Sequence, residues 1–427
     1  MSTQRGKTPQ RTGLGSRFTA LLTSTAFANL GDGMVQTGAP LIAIHLTRSP
    51  AQVSLLTAAA WLPWVILGIP GGAVVDRVDR RHAQMTALAA RIVLLAVGAA
   101  IAVAGHLTMP VLVTLVLLYG VTAVFAELGE AAIVPDLVTR DRLAAANSRV
   151  LATQTVANSF LGVPVAGLLV TAGMYFVLGV PAALGVAAVL ALFIGVRGSF
   201  WHVQAPAADG AHRGGLAEVT QGLSFLVKHP VLRPMFIAGA LFNMGSTGYM
   251  AVLVLWMVGD GSRMGLKPIH YTLLLTLFAV GAIVGSIVAE RIIHRVGEVR
   301  MLLITFLGDS LMLLVPLLAP HPIPVAVAFA VLGSTNIVGN TITQSVRQRL
   351  TPKHLLGRVT GAGRTTSYGL MPIGAVLAGV VGSAMGLPVS LAMGAALCLI
   401  ATAFLTAVLR QRQIDAHELP ADEPAAA

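Results

Sequence analysis

Gly72-Ala-Val-Val-Asp76-Arg77-Val-Asp79-Arg80-Arg81 is a short charged turn set between two long apolar stretches. A degraded copy runs from Gly285 through Glu290, Arg291 and Gly297 to Arg300. Asn29-Leu30-Gly31 is answered in the same way by Asn243-Met244-Gly245, and Val138-Thr139 with Leu143 by Leu350-Thr351 with Leu355. Each copy follows its partner by about 213 residues, so the chain is an ancestral half that was duplicated.

Working outward from the turn, the apolar stretches recur along nearly the whole chain. Of 427 residues, 56% are hydrophobic and 11% charged, and the mean hydropathy is +0.81. A soluble domain carries about a quarter charged residues, so an ordinary globular enzyme is excluded. Runs of roughly 20 apolar residues are long enough to cross the hydrocarbon as helices, the form in which backbone polar groups are satisfied without water. Twelve spans are predicted, centred near Asp32, Ile66, Val97, Val121, Asn158 and Ala187, then Ala251, Ala279, Ser310, Val331, Ile373 and Leu399. The fold class expected is all-α and integral to the membrane, with two pseudo-symmetric six-helix halves, an architecture used by secondary transporters.

The net charge of +11 is explained by topology rather than by a nucleic-acid partner. Basic residues gather in every second connection: Arg77, Arg80 and Arg81; Arg140 and Arg142; Arg197 to Arg233; Arg291, Arg295 and Arg300; Arg347, Arg349, Lys353 and Arg358. The alternate connections are nearly uncharged apart from Arg48 and the Asp260–Lys267 loop, a positive-inside pattern that predicts both termini in the cytoplasm. The first span follows a basic tail (Arg5, Lys7, Arg11, Arg17) but is too long, and lacks the cleavage site, for a removable signal. Cys398 is the only cysteine, which excludes disulfides and thiolate metal clusters. Abundant alanine, glycine, valine and arginine point to a bacterium with a GC-rich genome. The expected divisions are a basic tail (1–15), the first half (16–197), a linker (198–232), the second half (233–411) and a disordered acidic tail (412–427). Within the linker, Leu216, Val219, Leu223 and Leu226 recur at helical spacing, predicting an amphipathic helix along the cytoplasmic face.

The Gly72–Arg81 turn resembles the signature loop of the major facilitator superfamily, G-x-L-A-D-R-x-G-R-R, with Asp79 in place of the second glycine. That departure is similar to the bacterial drug:proton antiporter branch that includes macrolide-efflux and enterobactin-export proteins. Pro135-Asp-Leu-Val138, Leu143-Ala-Ala-Ala146-Asn147-Ser148, Val156-Ala-Asn158-Ser-Phe160-Leu-Gly162-Val-Pro164 and Leu356-Gly357-Arg358-Val359 match the same branch. The resemblance implies that Gly72, Asp76, Arg77, Arg80 and Arg81 form a conformational lock of the outward-facing state. Physically, Gly72 allows close packing of the end of the second helix, Asp76 suits a positive helix end, and the arginines suit Glu130 or Asp136. Gly162, Pro164 and Gly167 resemble the family's antiporter motif, G-P-x-x-G-G, and allow a kink with close backbone packing.

Candidate chemistry lies in intramembrane acids. Thr25, Asn29, Asp32 and Gln36 share one face of the first helix. An acid there costs several kcal/mol unless it meets a cavity or a partner, so Asp32 is a proton-coupling candidate, the alternative being a permanent interhelical hydrogen bond. Glu127 and Glu130, three residues apart on the fourth helix, form a second acidic site, and Arg91 on the third helix is placed to neutralise either. Asp309 has no partner in the sequence pattern. Gln154, Asn158, Asn243, Thr247, Asn336, Asn340 and Gln344 mark a central path at helical spacing, with Trp61, Trp64, Phe242 and Tyr368 as aromatic candidates. No nucleotide-binding loop and no H-E-x-x-H or other metal spacing is present.

The expected function is therefore a secondary transporter and not an enzyme, needing no cofactor or metal, working as a monomer in a bacterial inner membrane. Its partners are the bilayer, a small-molecule substrate and protons. Proton-coupled efflux of small amphipathic compounds leads. A dedicated exporter of one natural product, such as a siderophore or self-made antibiotic, is the alternative, ahead of nutrient uptake or a non-transporting receptor.

Overall fold

The computed structural model describes residues 14–75, 77–198, 200, 215–352 and 355–417. The described chain is helical throughout. Twelve helices reach membrane-spanning length: α1 Ser16–Leu46, α2 Pro50–Val75, α3 Arg80–Val103, α4 Met109–Leu137, α5 Leu143–Ala172, α6 Met174–Gly195, α7 Leu232–Met257, α8 Pro268–Val296, α9 Glu298–Leu318, α10 Pro322–Leu350, α11 Leu356–Met385 and α12 Leu387–Val408. Eleven of them are long and apolar enough to cross a membrane. The exception is α1, whose 31 residues satisfy length but not apolarity, because Ser24, Thr25, Asn29, Asp32, Gln36 and Thr37 interrupt it. Ser24 and Thr25 are fully buried, so this polarity faces protein.

Each half repeats one set of neighbours. In the first half α1 packs on α5 and α6, α2 on α4, and α3 on α4 and α6; in the second α7 packs on α11 and α12, α8 on α10, and α9 on α10 and α12. The halves join through α2 against α11 and α5 against α8, an exchange that respects the duplication. Close approaches repeat as well. A Cβ on Gly31 would sit 3.3 Å from Pro181 Cβ, and one on Gly245 would sit 2.8 Å from the Gly394 carbonyl, the same crossing in each half. Apolar side chains such as Val103, Ile287, Leu318 and Ile400 stand exposed on the outside, as a lipid-facing surface requires.

The cores differ at the two ends. Where α1 turns into α2 and α7 into α8, one continuous core takes Leu41, Ile42 and Val53 from the first half and Leu253, Val258 and Ala378 from the second. At the opposite end each half keeps its own core: Phe18, Ile133 and Leu192 in one, Leu232, Val299, Leu350 and Val359 in the other. A cleft between the halves therefore opens toward the end that carries the linker.

A helix runs through the linker, Gly215–Lys228, and docks on α11. Gly222 makes this possible, since a Cβ there would fall 2.2 Å from the Arg358 carbonyl, and Arg358 Nη1 donates to Gln221 Oε1 at 2.7 Å. The final stretch corrects another expectation. Gln411–His417 is a short helix with Ile414 buried in the second half's core, because one apolar side chain in a polar segment found a groove that composition does not reveal. The remainder of the acidic tail lies outside the described residues.

Candidate functional site

In the first half, α1, α3 and α4 converge on one ion pair. Arg91 Nη1 donates to Asp32 Oδ1 at 2.6 Å, with the arginine side chain 5% exposed. The Tyr119 hydroxyl donates to the same oxygen, and the guanidinium carbon lies 4.6 Å over the Tyr119 ring. Arg91 Nε reaches Thr122 Oγ1 at 3.4 Å. Arg91 thus makes its direct ion pair with Asp32, where the sequence pattern places it to neutralise Glu127 or Glu130. Asp32, partly buried, is matched in charge by a guanidinium.

Glu130 is buried one helix over and has different company. Thr25 Oγ1 donates to Oε1 at 2.9 Å and Gln154 Nε2 to the same oxygen at 3.2 Å. No salt bridge to Glu130 forms among the described residues. Glu127, expected beside it, is exposed. The four residues expected on one face of α1 divide their work: Thr25 holds Glu130, Asp32 holds Arg91, and Asn29 Nδ2 donates back to the Thr25 carbonyl at 3.0 Å. Gln36 borders a pocket of about 250 Å³ with Trp61, Trp64 and Tyr119.

Helix α5 owes its shape to the Gly162–Pro164 segment. Val156–Gly162 is a π-helical stretch in which the Val163 N–H reaches the Asn158 carbonyl. Pro164 has no N–H to offer, which frees the turn to widen. The widened turn lies against α1, where a Cβ on Gly33 would sit 2.1 Å from the Asn158 carbonyl and one on Gly162 would sit 2.8 Å from Gly33 Cα. Gly167 faces the other half, with its absent Cβ 2.2 Å from Thr272 Oγ1 of α8. The motif is thus a packing device on both sides of α5.

In the second half a cavity of about 240 Å³ is bordered by Asn243, Asp309, Asn336, Asn340, Arg347 and Tyr368. Asn340 Nδ2 donates to Asn336 Oδ1 at 3.0 Å, and the Thr335 hydroxyl donates to buried Asp309. Tyr368 meets Trp61 across the cleft with ring centroids 5.2 Å apart, and Trp64 at 6.4 Å. Phe242 stacks on Phe306 within the second half, at 5.1 Å.

At the loop motif, Arg80 pairs with Asp136 at 3.1 Å, while Arg81 donates to the Phe193 carbonyl at 3.1 Å and lies over its ring. Arg77 is exposed, and Asp76 lies outside the described residues. The expectation that Gly72 packs closely is overturned here: nothing lies within 4 Å of the place its Cβ would take, because the halves have parted at this end. Asp79 caps α3, Oδ1 accepting from the His82 N–H at 3.1 Å and Oδ2 from the Phe200 N–H at 2.9 Å. Residues that sequence reasoning passed over include Tyr119, Thr122, Thr335 and Arg48, whose Nη1 donates to the Val258 carbonyl of the other half at 2.8 Å. Arg48 alone left a trace, as a lone cation in the uncharged set of connections.

A model of the transmembrane secretion effector family matches residues 12–426. The chain belongs to that family. Among its relatives are enterobactin exporters EntS of Shigella boydii and Escherichia coli, 26% identical over 356 residues, covering 79% of this chain and 80% of theirs. The fold is similar to that of the nucleoside transporter NupG (TM-score 0.75, 12% identity, 93% of this chain and 100% of that one). It is also similar to a bacterial homologue of the human lysosomal transporter Spinster in an inward-facing, unoccupied conformation (TM-score 0.73, 14% identity, 97% and 100%). The chain is therefore a multi-pass major facilitator transporter of small molecules, with the relatives and fold of transporters and not of enzymes.

Proposed function

We propose that this protein exports small amphipathic organic molecules, drugs or antibiotics among them, across the inner membrane of a bacterium in exchange for protons. It acts as a monomer by alternating access. The observation that carries the reading is Glu130: a buried carboxyl bordered by Thr25 and Gln154, with no salt bridge among the described residues, beside an Asp32 whose charge Arg91 already answers. An unpaired acid inside a membrane bundle is costly and marks a proton or ion pathway. The path between the halves is lined by amides and aromatic rings, which suits cargo with both polar and apolar surface.

With the basic connections on the cytoplasmic side, the cleft opens inward and the shared core closes the outer end. Cargo would enter beside Trp61, Trp64 and Tyr368. Protonation of Glu130 from outside would release it and reset the carrier. Asp76 is proposed to lock the opposite state.

The test is accumulation of ethidium in cells expressing the protein, with and without a protonophore. Lowered accumulation that the protonophore restores supports the reading, and Glu130→Gln should abolish the effect while the protein remains inserted. Ethidium accumulation unchanged by expression would remove the broad-efflux form.

One observation favours a second reading, a dedicated natural-product exporter: the similarity to enterobactin exporters over four fifths of both chains. Secretion of enterobactin by an exporter-deficient strain carrying this chain separates the two.

A further inference from the structure

We propose that Asp309 and Thr335 form a proton-binding site of the second half, reached from the cavity between α7, α9, α10 and α11. The proposal deepens the exchange reading above and rests on it. Neither the loop motif nor the Asp32–Arg91 network uses Asp309, which is 7% exposed and forms no salt bridge among the described residues.

The geometry of the hydroxyl carries the argument. Thr335 Oγ1 has one proton and three acceptors within reach: Asp309 Oδ1 and, on its own helix, the carbonyls of Val331 at 2.8 Å and Leu332 at 3.3 Å. With Asp309 ionised, the hydroxyl donates to the carboxylate. When a proton arrives from water in the cavity, a new O–H bond forms on Asp309 and donates to Oγ1, and the threonine proton turns to the Val331 carbonyl. One O–H bond of a hydronium breaks as the new one forms, water leaves, and the Thr335–Asp309 hydrogen bond reverses its direction. The Asp309–Thr335 hydrogen bond is therefore kept in both protonation states, which lowers the cost of moving between them in hydrocarbon. Asp32 is built the other way, with a guanidinium rather than a rotatable hydroxyl as its partner.

The surroundings permit the exchange. From α7 the cavity wall presents Phe242 and Asn243, from α10 Asn336 and Arg347, and from α11 Tyr368. From α12 come Cys398, buried, and Thr402, whose hydroxyl donates to the Cys398 carbonyl at 2.9 Å. Arg347 is the only cation among these described groups. It lies twelve residues beyond Thr335 on α10, about 18 Å along the helix axis, too far to hold Asp309 as an ion pair. The amides of Asn243 and Asn336 and the Tyr368 hydroxyl offer water a polar route inward.

The experiment uses dicyclohexylcarbodiimide, an apolar reagent that adds to protonated carboxyls, on the purified full-length protein, with peptide mass mapping from mildly acidic to mildly alkaline pH. An adduct on Asp309 that fades as pH rises, and is lost entirely in Asp309→Asn, is the expected result. Thr335→Val should extend labelling to more alkaline pH, since the ionised form loses a charge-assisted donor while the protonated form loses only a weaker, neutral acceptor. A merely structural role for Thr335 would not move that profile. Absence of the adduct at every pH, or an adduct equal at every pH, would overturn the site. Failure of the exchange reading looks different: export insensitive to a protonophore removes that reading and leaves the labelling result standing.

Discussion

Asp32 in the first half lies 2.6 Å from a guanidinium, whereas Asp309 in the second half rests on a single hydroxyl, that of Thr335. The two halves share their helix pairings and their glycine crossings, yet their charges have been redistributed. About 213 residues after Asp32 and Arg91 stand Ser246 and Ile304, and the position that Asp309 repeats is Ala96. Even the tie between a loop and a neighbouring helix has changed sign. Arg80 bonds Asp136 in the first half, while Glu298 bonds Arg349 in the second. Packing tolerates little alteration, because close backbone approaches leave no room. Charge can be moved so long as each buried group keeps a partner. Duplication thus supplied the frame, and the acids made one half a fixed ion pair with a neighbouring carboxyl and the other a cavity with a hydroxyl-bridged one.

The largest expected effect breaks the first side of that comparison. Arg91→Ala leaves Asp32, 17% exposed, without its cation, which costs up to about 3–5 kcal/mol. Fluorescence-detected size-exclusion chromatography after heating should show a strongly lowered melting point. The pair Asp32→Asn with Arg91→Leu should recover most of it, and a double variant no better than Arg91→Ala would show that the ion pair is not what matters.

The next two concern the two ends of the molecule. Arg48→Ala removes a charged donor from the Val258 carbonyl, an interaction of about 1.5–3 kcal/mol, and should loosen the outer end. Cysteines engineered beside Ser54 and Gly379 in a Cys398→Ser background should gain reactivity toward impermeant maleimide from outside. Gly33→Ala sets a methyl group 2.1 Å from the Asn158 carbonyl, an overpacking cost of about 1–3 kcal/mol. Gly72→Ala meets nothing within 4 Å and should leave the melting point unchanged. Equal losses from the two glycine variants would contradict the parted arrangement of the halves.

The smallest effect is in pH. His229 Nδ1 accepts the N–H groups of Val231 and Leu232, each at 3.2 Å, at the start of α7. Burial, with a further contribution from the charge of His417, pushes His229 below its ordinary value of 6.5. The neutral cap therefore contributes stability above that value and loses it as pH falls below, where the unfolded chain takes the proton first. Thermal stability should decline below about pH 6.5 less steeply in His229→Asn, which caps without titrating.

Hydropathy, charge asymmetry and the spacing of repeated motifs were legible from residues taken singly or in short runs, and from them came the helical membrane fold, the duplication and the family. Asp32, Glu130 and Arg91 were legible as costly intramembrane groups for the same reason. Their partnerships were not. Arg91 and Asp32 are 59 residues apart, and Thr25 and Glu130 are 105 apart. Nothing in a helical period says which of two acids an arginine will meet. Thr335 and Tyr119 carried no signal at all, since a lone hydroxyl in a membrane helix is ordinary until an acid is placed against it. The sequence by itself determined that long apolar helices would form, which faces are polar and which loops are basic, because these follow from the cost of each side chain in water or lipid. The tertiary structure alone decided which acid is paired and which is not, and at which end the halves meet, because those depend on distances between groups that only packing brings together.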